Sequence, residues 1–368
     1  MRVTCTQENL ARGLNMVAHL SDKNVNLPIL NNVLLQARKG GLVLVSTNLE
    51  VGIKTKVRGK VEKEGEFTVA ARLLTDFVNS LKKENIAIHQ EEKSLVIKGQ
   101  NHQTTIRGME ASEFPVIPDV EQKQTMTAPL VLFQEALSQT LFAASGDESR
   151  PELNSVMLQF EGTTCIMVAT DSYRLAEKTI NVNAQKKASQ NVIVPARTLH
   201  ELSRILEQQD AETLTIVIND NQVLFSCNDT DMVSRIISAP YPDYKQIIPH
   251  SFKNEIEFDA KEMTQAIKTT SLFCKQGIND VRLTLDKRFN DIAISAENSS
   301  FGKNVSNVPS LSADQEMDIV FNYKFLMDGL NRCTTENAIL KTNDATSPAQ
   351  LQGKGDTSYV YIIMPIKQ

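Results

Sequence analysis

The chain has no tryptophan, and aromatic residues make up only 5% of it, which argues against a platform that stacks the bases of single-stranded nucleic acid. It has only five cysteines (Cys5, Cys165, Cys227, Cys274 and Cys333), an odd number, far apart and never in a CxxC pair. This excludes a disulfide framework and a zinc site, and predicts reduced, mostly buried thiols. No apolar run approaches the roughly 20 residues that span a bilayer, so no membrane partner is expected. Met1-Arg2-Val3-Thr4-Cys5-Thr6 lacks the apolar centre of a signal peptide, which makes the cytoplasm the expected location.

Motifs of catalysis are also missing. There is no GxGxxG and no GxSxG, and neither Gly59-Lys60-Val61 nor Gly302-Lys303-Asn304 has the spacing of a phosphate loop. The five histidines (His19, His89, His102, His200 and His250) show no metal-binding spacing. Asn228-Asp229-Thr230-Asp231 is too short for an EF-hand and is predicted to be a polar turn. Asp171 lies near Ser172, but no histidine is close in sequence. We therefore expect no catalytic residue, no metal and no cofactor.

Net charge is -5, so phosphate neutralisation over the whole surface is excluded and any cationic surface must be local. At 368 residues the chain is long enough for two to three domains. A weak internal repeat decides for three. Phe67–Leu74, Val192–Leu199 and Ile319–Leu326 each run as a β-type segment through a basic residue into helical spacing. The basic residues Arg72, Arg197 and Lys324 recur at close to one third of the chain length. The helical continuations are Leu74, Phe77, Leu81, then Leu199, Leu202, Ile205, then Leu326, Leu330.

A second amphipathic helix opens each third, marked by Leu10, Leu14 and Val17, by Phe133, Leu137 and Leu141, and by Met263 and Ile267. Hairpins follow each of these, with turns at Arg38-Lys39-Gly40-Gly41, Glu161-Gly162-Thr163 and Asp286-Lys287-Arg288-Phe289-Asn290. More strand pairs close each third. Proline-marked connections at Phe114–Pro118 and Tyr241–Tyr244 set boundaries near residues 120 and 250. The expected domains are thus 1–120, 121–250 and 251–368. The expected fold class is α+β, three similar domains each of two helices packed on antiparallel sheet.

Several segments resemble one family. They are Leu27-Pro28-Ile29-Leu30-Asn31-Asn32, Arg150–Leu158, Val168–Ala176, Val192–Pro195, Tyr241-Pro242-Asp243-Tyr244 and the ending Tyr361–Ile366. They lie in all three thirds, and together resemble the bacterial DNA polymerase sliding clamp, the beta subunit of the replicative polymerase. The resemblance implies a head-to-tail homodimer closing a six-domain ring around double-stranded DNA, held without regard to sequence. It further implies that the replicative polymerase, a clamp loader and repair proteins bind through short linear motifs.

The resemblance implies three sets of residues. A DNA-facing set comprises Lys23, Asn24, Arg72, Arg197 and Lys324, to which Lys82, Lys83, Arg204 and the seven-spaced Lys261, Lys268 and Lys275 could add. A partner-peptide pocket comprises Leu153, Thr170, Ser172, Tyr173, Arg174, Leu175, Pro242, Gln246, Ile247, Ile362, Ile363, Met364, Pro365 and Ile366. A dimer interface is implied at Thr104 and Ile106 on one side and Leu272 and Phe273 on the other. Two other readings fit the residues alone: a three-domain protein scaffold that ignores DNA, and an α+β hydrolase built on Asp171.

Overall fold

The computed structural model describes residues 1–20, 27–118, 120, 124–184, 188–275, 277–286, 291–310 and 316–367. Six helices occur among them: α1 (Gln7–Val17), α2 (Ala71–Ser80), α3 (Leu130–Thr140), α4 (Ala196–Leu206), α5 (Ala260–Ser271) and α6 (Tyr323–Leu330). Every strand pairing is antiparallel. The chain forms two compact units, and the middle third contributes to both.

The first unit takes in Met1–Val131 and Glu201–Ile236, with the short strand Asn183–Ala184. Its sheet of fourteen strands runs through the join between the first and middle thirds. There the strand Thr230–Arg235 pairs with Val51–Val57, and the Thr55 and Thr230 hydroxyls meet at 2.8 Å across that ladder. Helix α1 packs on this sheet through Leu10, Leu14, Met16 and Val17, all buried, and Thr6 caps its start by accepting from the Asn9 amide at 3.2 Å. Gly13 faces the sheet so closely that any Cβ there would run into the Val57 side chain. The buried face of α2 is Ala71, Leu74, Thr75 and Val78; of the expected Leu74, Phe77 and Leu81, Phe77 is only half-buried and Leu81 lies past the helix end at Ser80.

The second unit takes in Leu132–Asn181, Ile237–Gln368 and the strand Ala188–Pro195. Its eight-stranded sheet joins the middle third to the last where Arg174–Asn181 pairs with Tyr359–Ile363. A four-stranded sheet of Gly302–Pro309, Asp291–Asn298, Asp280–Asp286 and Met317–Asn322 carries α5, whose Met263 and Ile267 are buried. Lys178 is enclosed at the eight-stranded sheet, its ammonium 2.8 Å from Glu135 and 3.7 Å from Asp356.

One local device appears in all three thirds. The Asn48 Oδ1 accepts from the amides of Glu50 (3.1 Å) and Val51 (2.8 Å). Asp171 does the same for Tyr173 (2.9 Å) and Arg174 (3.0 Å), and Asn298 accepts from Ser300 at 2.9 Å. In the first two, a threonine (Thr47 or Thr170) also donates to the carbonyl four residues on. The repeat is therefore one of turn chemistry as well as helix spacing.

All five cysteines are free, and all but the half-buried Cys333 are buried. Burial pushes the thiols of Cys5 and Cys333 from an ordinary 9.0 up to about 12, with Asp356 adding to the shift at Cys333, and burial moves Cys274 to about 11. Thiols raised in this way favour the folded state below about pH 9, and that contribution is lost as pH rises through 11 to 12. The native protein is expected to resist a thiol-reactive disulfide at pH 8 and to react fully once unfolded. Rapid labelling of the native chain would contradict the burial. Lys178→Ala leaves two carboxylates facing an empty site and is expected to lower stability by about 3 kcal/mol in urea unfolding.

Candidate functional site

The turn Thr170–Arg174 organises the second unit's surface. Thr170 Oγ1 accepts from the Ser172 amide at 3.2 Å and donates to the Arg174 carbonyl at 2.7 Å. Ser172 takes a left-handed backbone, φ 78°, which costs a non-glycine residue about 1 kcal/mol or more. The result sends neighbouring side chains opposite ways. Tyr173 stands 65% exposed, whereas the Arg174 guanidinium is turned in.

Arg174 is held from several directions. It pairs with Asp171 at 3.0 Å and with Asp328 on α6, and donates to the Phe142 carbonyl at 2.9 Å. Its guanidinium lies 4.7 Å from the Phe325 ring centroid and 5.4 Å from that of Phe142. Arg174, expected on the pocket wall, also bolts α6 to the sheet through these contacts. Asp171, the residue weighed for hydrolysis, is fully engaged in the turn and this ion pair. Tyr173 stacks on the other partner of the bolt, Phe325, at 6.5 Å.

The apolar floor depends on strand register. Leu175 pairs with Ile362 and Arg174 with Ile363, and the Met364 amide then donates to the Tyr173 carbonyl at 2.8 Å. Leu175 and Ile362 join Met157, Val168, Ile193 and Tyr244 in one buried cluster, edged by half-buried Tyr241 and Ile248. The predicted pocket residues divide into layers. Leu153, Thr170, Leu175, Ile362, Ile363 and Pro365 are buried, whereas Ser172, Tyr173, Pro242, Gln246 and Ile247 are exposed. Arg174, Met364 and Ile366 lie between. Gln246 donates to Asp243 at 2.8 Å. Sequence reasoning missed Met157, Ile193 and Tyr244, and also Phe142, Phe325 and Asp328. Tyr244 closes the quoted Tyr241–Tyr244 segment, but nothing local points to Phe142 or Asp328.

Among the cations, Arg72, Arg197 and Lys324 share one position. Each is the second residue of a helix that follows its strand without a loop, and each is exposed. Asn322 caps α6 by accepting from the Lys324 amide at 3.0 Å. Arg72 has Asp76 at 3.9 Å. Lys261 and Lys268 are exposed on α5, but that helix stops at Ser271, so Lys275 does not continue the face. Arg204 is turned to a structural use, donating to the carbonyls of Asn15 and Met16, both at 2.8 Å, and pairing with buried Glu201. It thus satisfies open carbonyls at the end of α1. Lys83 is paired with Glu8 at 2.6 Å, and Lys82 is exposed. Lys23 and Asn24 lie outside the described residues.

The expected interface residues lie beside free sheet edges. Thr104 and Ile106 belong to Gln103–Met109, paired with Ser94–Lys98 on one side but on the other only through Gly108 and Met109. In the second unit Gly302–Pro309 is an outer strand, with Phe301 and Val305 exposed. Leu272, 74% exposed, and half-buried Phe273 follow α5, whose Thr270 hydroxyl reaches Asn304 on that strand at 2.9 Å. Among the described residues no cluster of His, Cys, Asp or Glu is arranged to hold a metal.

Repeated turns, paired edges and a groove beside a sheet join define a clamp architecture of three similar α+β domains. Comparisons with known proteins agree. The DNA polymerase III beta subunit models match here as N-terminal domain over residues 1–118, central domain over 128–243 and C-terminal domain over 245–367. The beta sliding clamp of Synechococcus elongatus is 31% identical over 372 residues, covering 100% of this chain and 99% of that protein. That of Bacillus subtilis is 28% identical, with full coverage of both. The crystal structure of the DNA polymerase III subunit beta from Pseudomonas aeruginosa superposes with a TM-score of 0.95 at 26% identity, covering 100% of both chains. A Pseudomonas aeruginosa sliding clamp bound to griselimycin gives the same TM-score.

The chain therefore belongs to the DNA polymerase III beta subunit family, the bacterial beta sliding clamps. It serves as a DNA sliding clamp, a processivity factor with no catalytic step of its own.

Arg174→Ala removes both ion pairs and both ring contacts. It is expected to cost about 3 kcal/mol and to release α6, read as faster amide exchange at residues 323–330. Unchanged exchange there would show that the bolt carries no load.

Proposed function

We propose that two copies close head to tail into a ring around duplex DNA, and that the Tyr173 surface receives short linear peptides of the replicative polymerase, the clamp loader and repair proteins. The observation that carries the ring is that two edges have no partner strand among the described residues beside the expected interface positions, 103–107 in the first unit and Gly302–Pro309 in the second. Open edges bearing apolar side chains invite pairing with another chain. Two different edges on one chain make a heterologous contact, which closes when the rotation allows. Thr104 and Ile106 would then face Leu272 and Phe273 of the partner. The three domains, with boundaries near 120 and 250, would be the ring's repeating units. The cytoplasm is the compartment that such a role requires.

The cation trio supports the DNA reading over the scaffold that ignores DNA. One exposed basic residue at the same helix position in each third gives a sparse, evenly repeated set, enough to position a phosphate backbone without gripping bases. A threaded duplex is retained by topology, so an overall charge of -5 is no obstacle. For the peptide site, the support is a cluster with a buried floor and an apolar, exposed rim of Tyr173 and Ile247, the form in which a few side chains of a peptide are anchored.

Three outcomes are expected. Protein loaded on closed circular DNA should survive salt that removes electrostatic binders and should leave when the circle is cut; equal loss from circles and linear DNA would refute encirclement. Leu272→Asp should yield monomers by light scattering, and an unchanged dimer mass would move the interface elsewhere. Tyr173→Ala with Ile247→Ala should weaken a fluorescent polymerase-tail peptide at least tenfold while the dimer persists. Leu175 and Ile363 are poorer targets because both lie in the core.

A further inference from the structure

The two joins inside the chain are built to one register. The Arg235 amide donates to the Glu50 carbonyl at 3.1 Å, and the Met364 amide to the Tyr173 carbonyl at 2.8 Å, so each ladder closes two residues past Asn48 or Asp171. Two residues further in, Val233 lies opposite Gly52 and Ile362 opposite Leu175. Gly52 and Leu175 are equivalent, because each pairs back with the threonine just before its turn, Thr47 or Thr170.

The two edges without a partner strand carry the same landmarks. On Gly302–Pro309, Lys303 pairs back with Glu297, the residue just before Asn298, so Lys303 stands where Gly52 and Leu175 stand, after a turn one residue longer. Asn304 and Ser306 then fall where Ile53 and Thr55 fall. Both are on the helix-covered face: the Thr270 hydroxyl of α5 lies 2.9 Å from Asn304 and 3.3 Å from Ser306, as Thr55 lies under Gly13 of α1. On Gln103–Met109, Arg107 is opposite Ser94, the first residue after the turn at 92–93. Arg235 is likewise opposite Gln222, the first residue after the turn at 220–221. Arg107 is thus the equivalent of Arg235, and Thr105 that of Val233.

We infer that the two edges pair between copies in the register of the internal joins. Thr105 then lies opposite the partner's Lys303, Thr104 opposite the partner's Asn304 and Gln103 opposite the partner's Val305. The Arg107 amide donates to the carbonyl of the partner's Phe301. The inference rests on the head-to-tail closure proposed above and fixes its register. Both inner faces are already set, by Thr270 on one strand and by the burial of Ile106 on the other. A slip of one residue would therefore oppose an inner side chain to an outer one. A slip of two keeps the faces but draws the Arg107 amide away from the turn carbonyl that closes both internal joins.

The test is disulfide capture in the full chain. Met232 and Ile53, equivalent to Thr104 and Asn304, lie between hydrogen-bonded pairs of their ladder. Such non-hydrogen-bonded pairs bring Cα atoms to about 4.5 Å, within disulfide reach. Thr104→Cys with Asn304→Cys, oxidised by diamide, is expected to give a covalent dimer on a denaturing gel. Thr104→Cys with Ser306→Cys, on the same face but two residues along, is expected to run as monomer, as is the unsubstituted chain with its free thiols. Capture in the second variant and not in the first would overturn the register. Failure of both, while light scattering of the unoxidised proteins still gives twice the chain mass, would overturn the register and leave the ring standing. A monomer mass for the native protein would remove the ring and the register together. Thr105 is exposed, so its charge can be set without touching the core. Thr105→Glu should tighten dimerisation about threefold and Thr105→Lys should weaken it about threefold, since each is set opposite a lysine. Equal effects of the two substitutions would also overturn the pairing.

Discussion

The structure depends on backbone pairing that continues through the joins between clamp domains. Strand Val51–Val57 would be an open edge without Thr230–Arg235, and Arg174–Asn181 would be one without Tyr359–Ile363. Unpaired backbone groups at such edges are costly when covered and sticky when exposed. Pairing them internally removes both problems and fixes neighbouring domains through a ladder of hydrogen bonds. The register then decides the surface chemistry. A slip of one residue between Arg174–Asn181 and Tyr359–Ile363 would turn over the strand that moved, taking either Leu175 or Ile362 out of the cluster with Met157, Val168 and Tyr244.

On that frame the same turn has been put to different uses. Asn48 and Asp171 hold the same backbone geometry, with Leu49 and Ser172 both left-handed at φ 76° and 78°. In the first domain the turn leads into Val51 and Gly52, and Ile117 fills the space over Gly52. In the second it leads into Arg174 and Leu175, where the guanidinium reaches α6 and the leucine enters the groove floor. The difference between the two turns comes from two side chains carried on a repeated backbone.

Charge follows the same economy. The chain is acidic overall, and many of its basic residues have structural work, as Arg204 does at the end of α1, Lys178 inside the eight-stranded sheet and Arg174 beneath α6. Arg72, Arg197 and Lys324 remain exposed at matching helix starts. A sequence count of cations cannot separate these two populations, because burial and partners come from residues far along the chain.

What the sequence determined by itself was periodic and local. The spacing of Leu10, Leu14 and Val17, the basic residue at each strand-to-helix passage and the glycine turns are written in neighbouring residues, so three α+β repeats and most hairpins could be read directly. The free thiols followed from cysteine spacing in the same way. The helix ends that cut off Leu81 and Lys275 were less legible, since capping and packing decide where a helix stops. Only tertiary structure decided that Arg174 faces Phe142, Phe325 and Asp328, that Arg204 caps a helix 188 residues away, and that 103–107 and Gly302–Pro309 have edges without a partner strand among the described residues. Those outcomes depend on strand register and long-range pairing, which bring together residues with no pattern linking them along the chain.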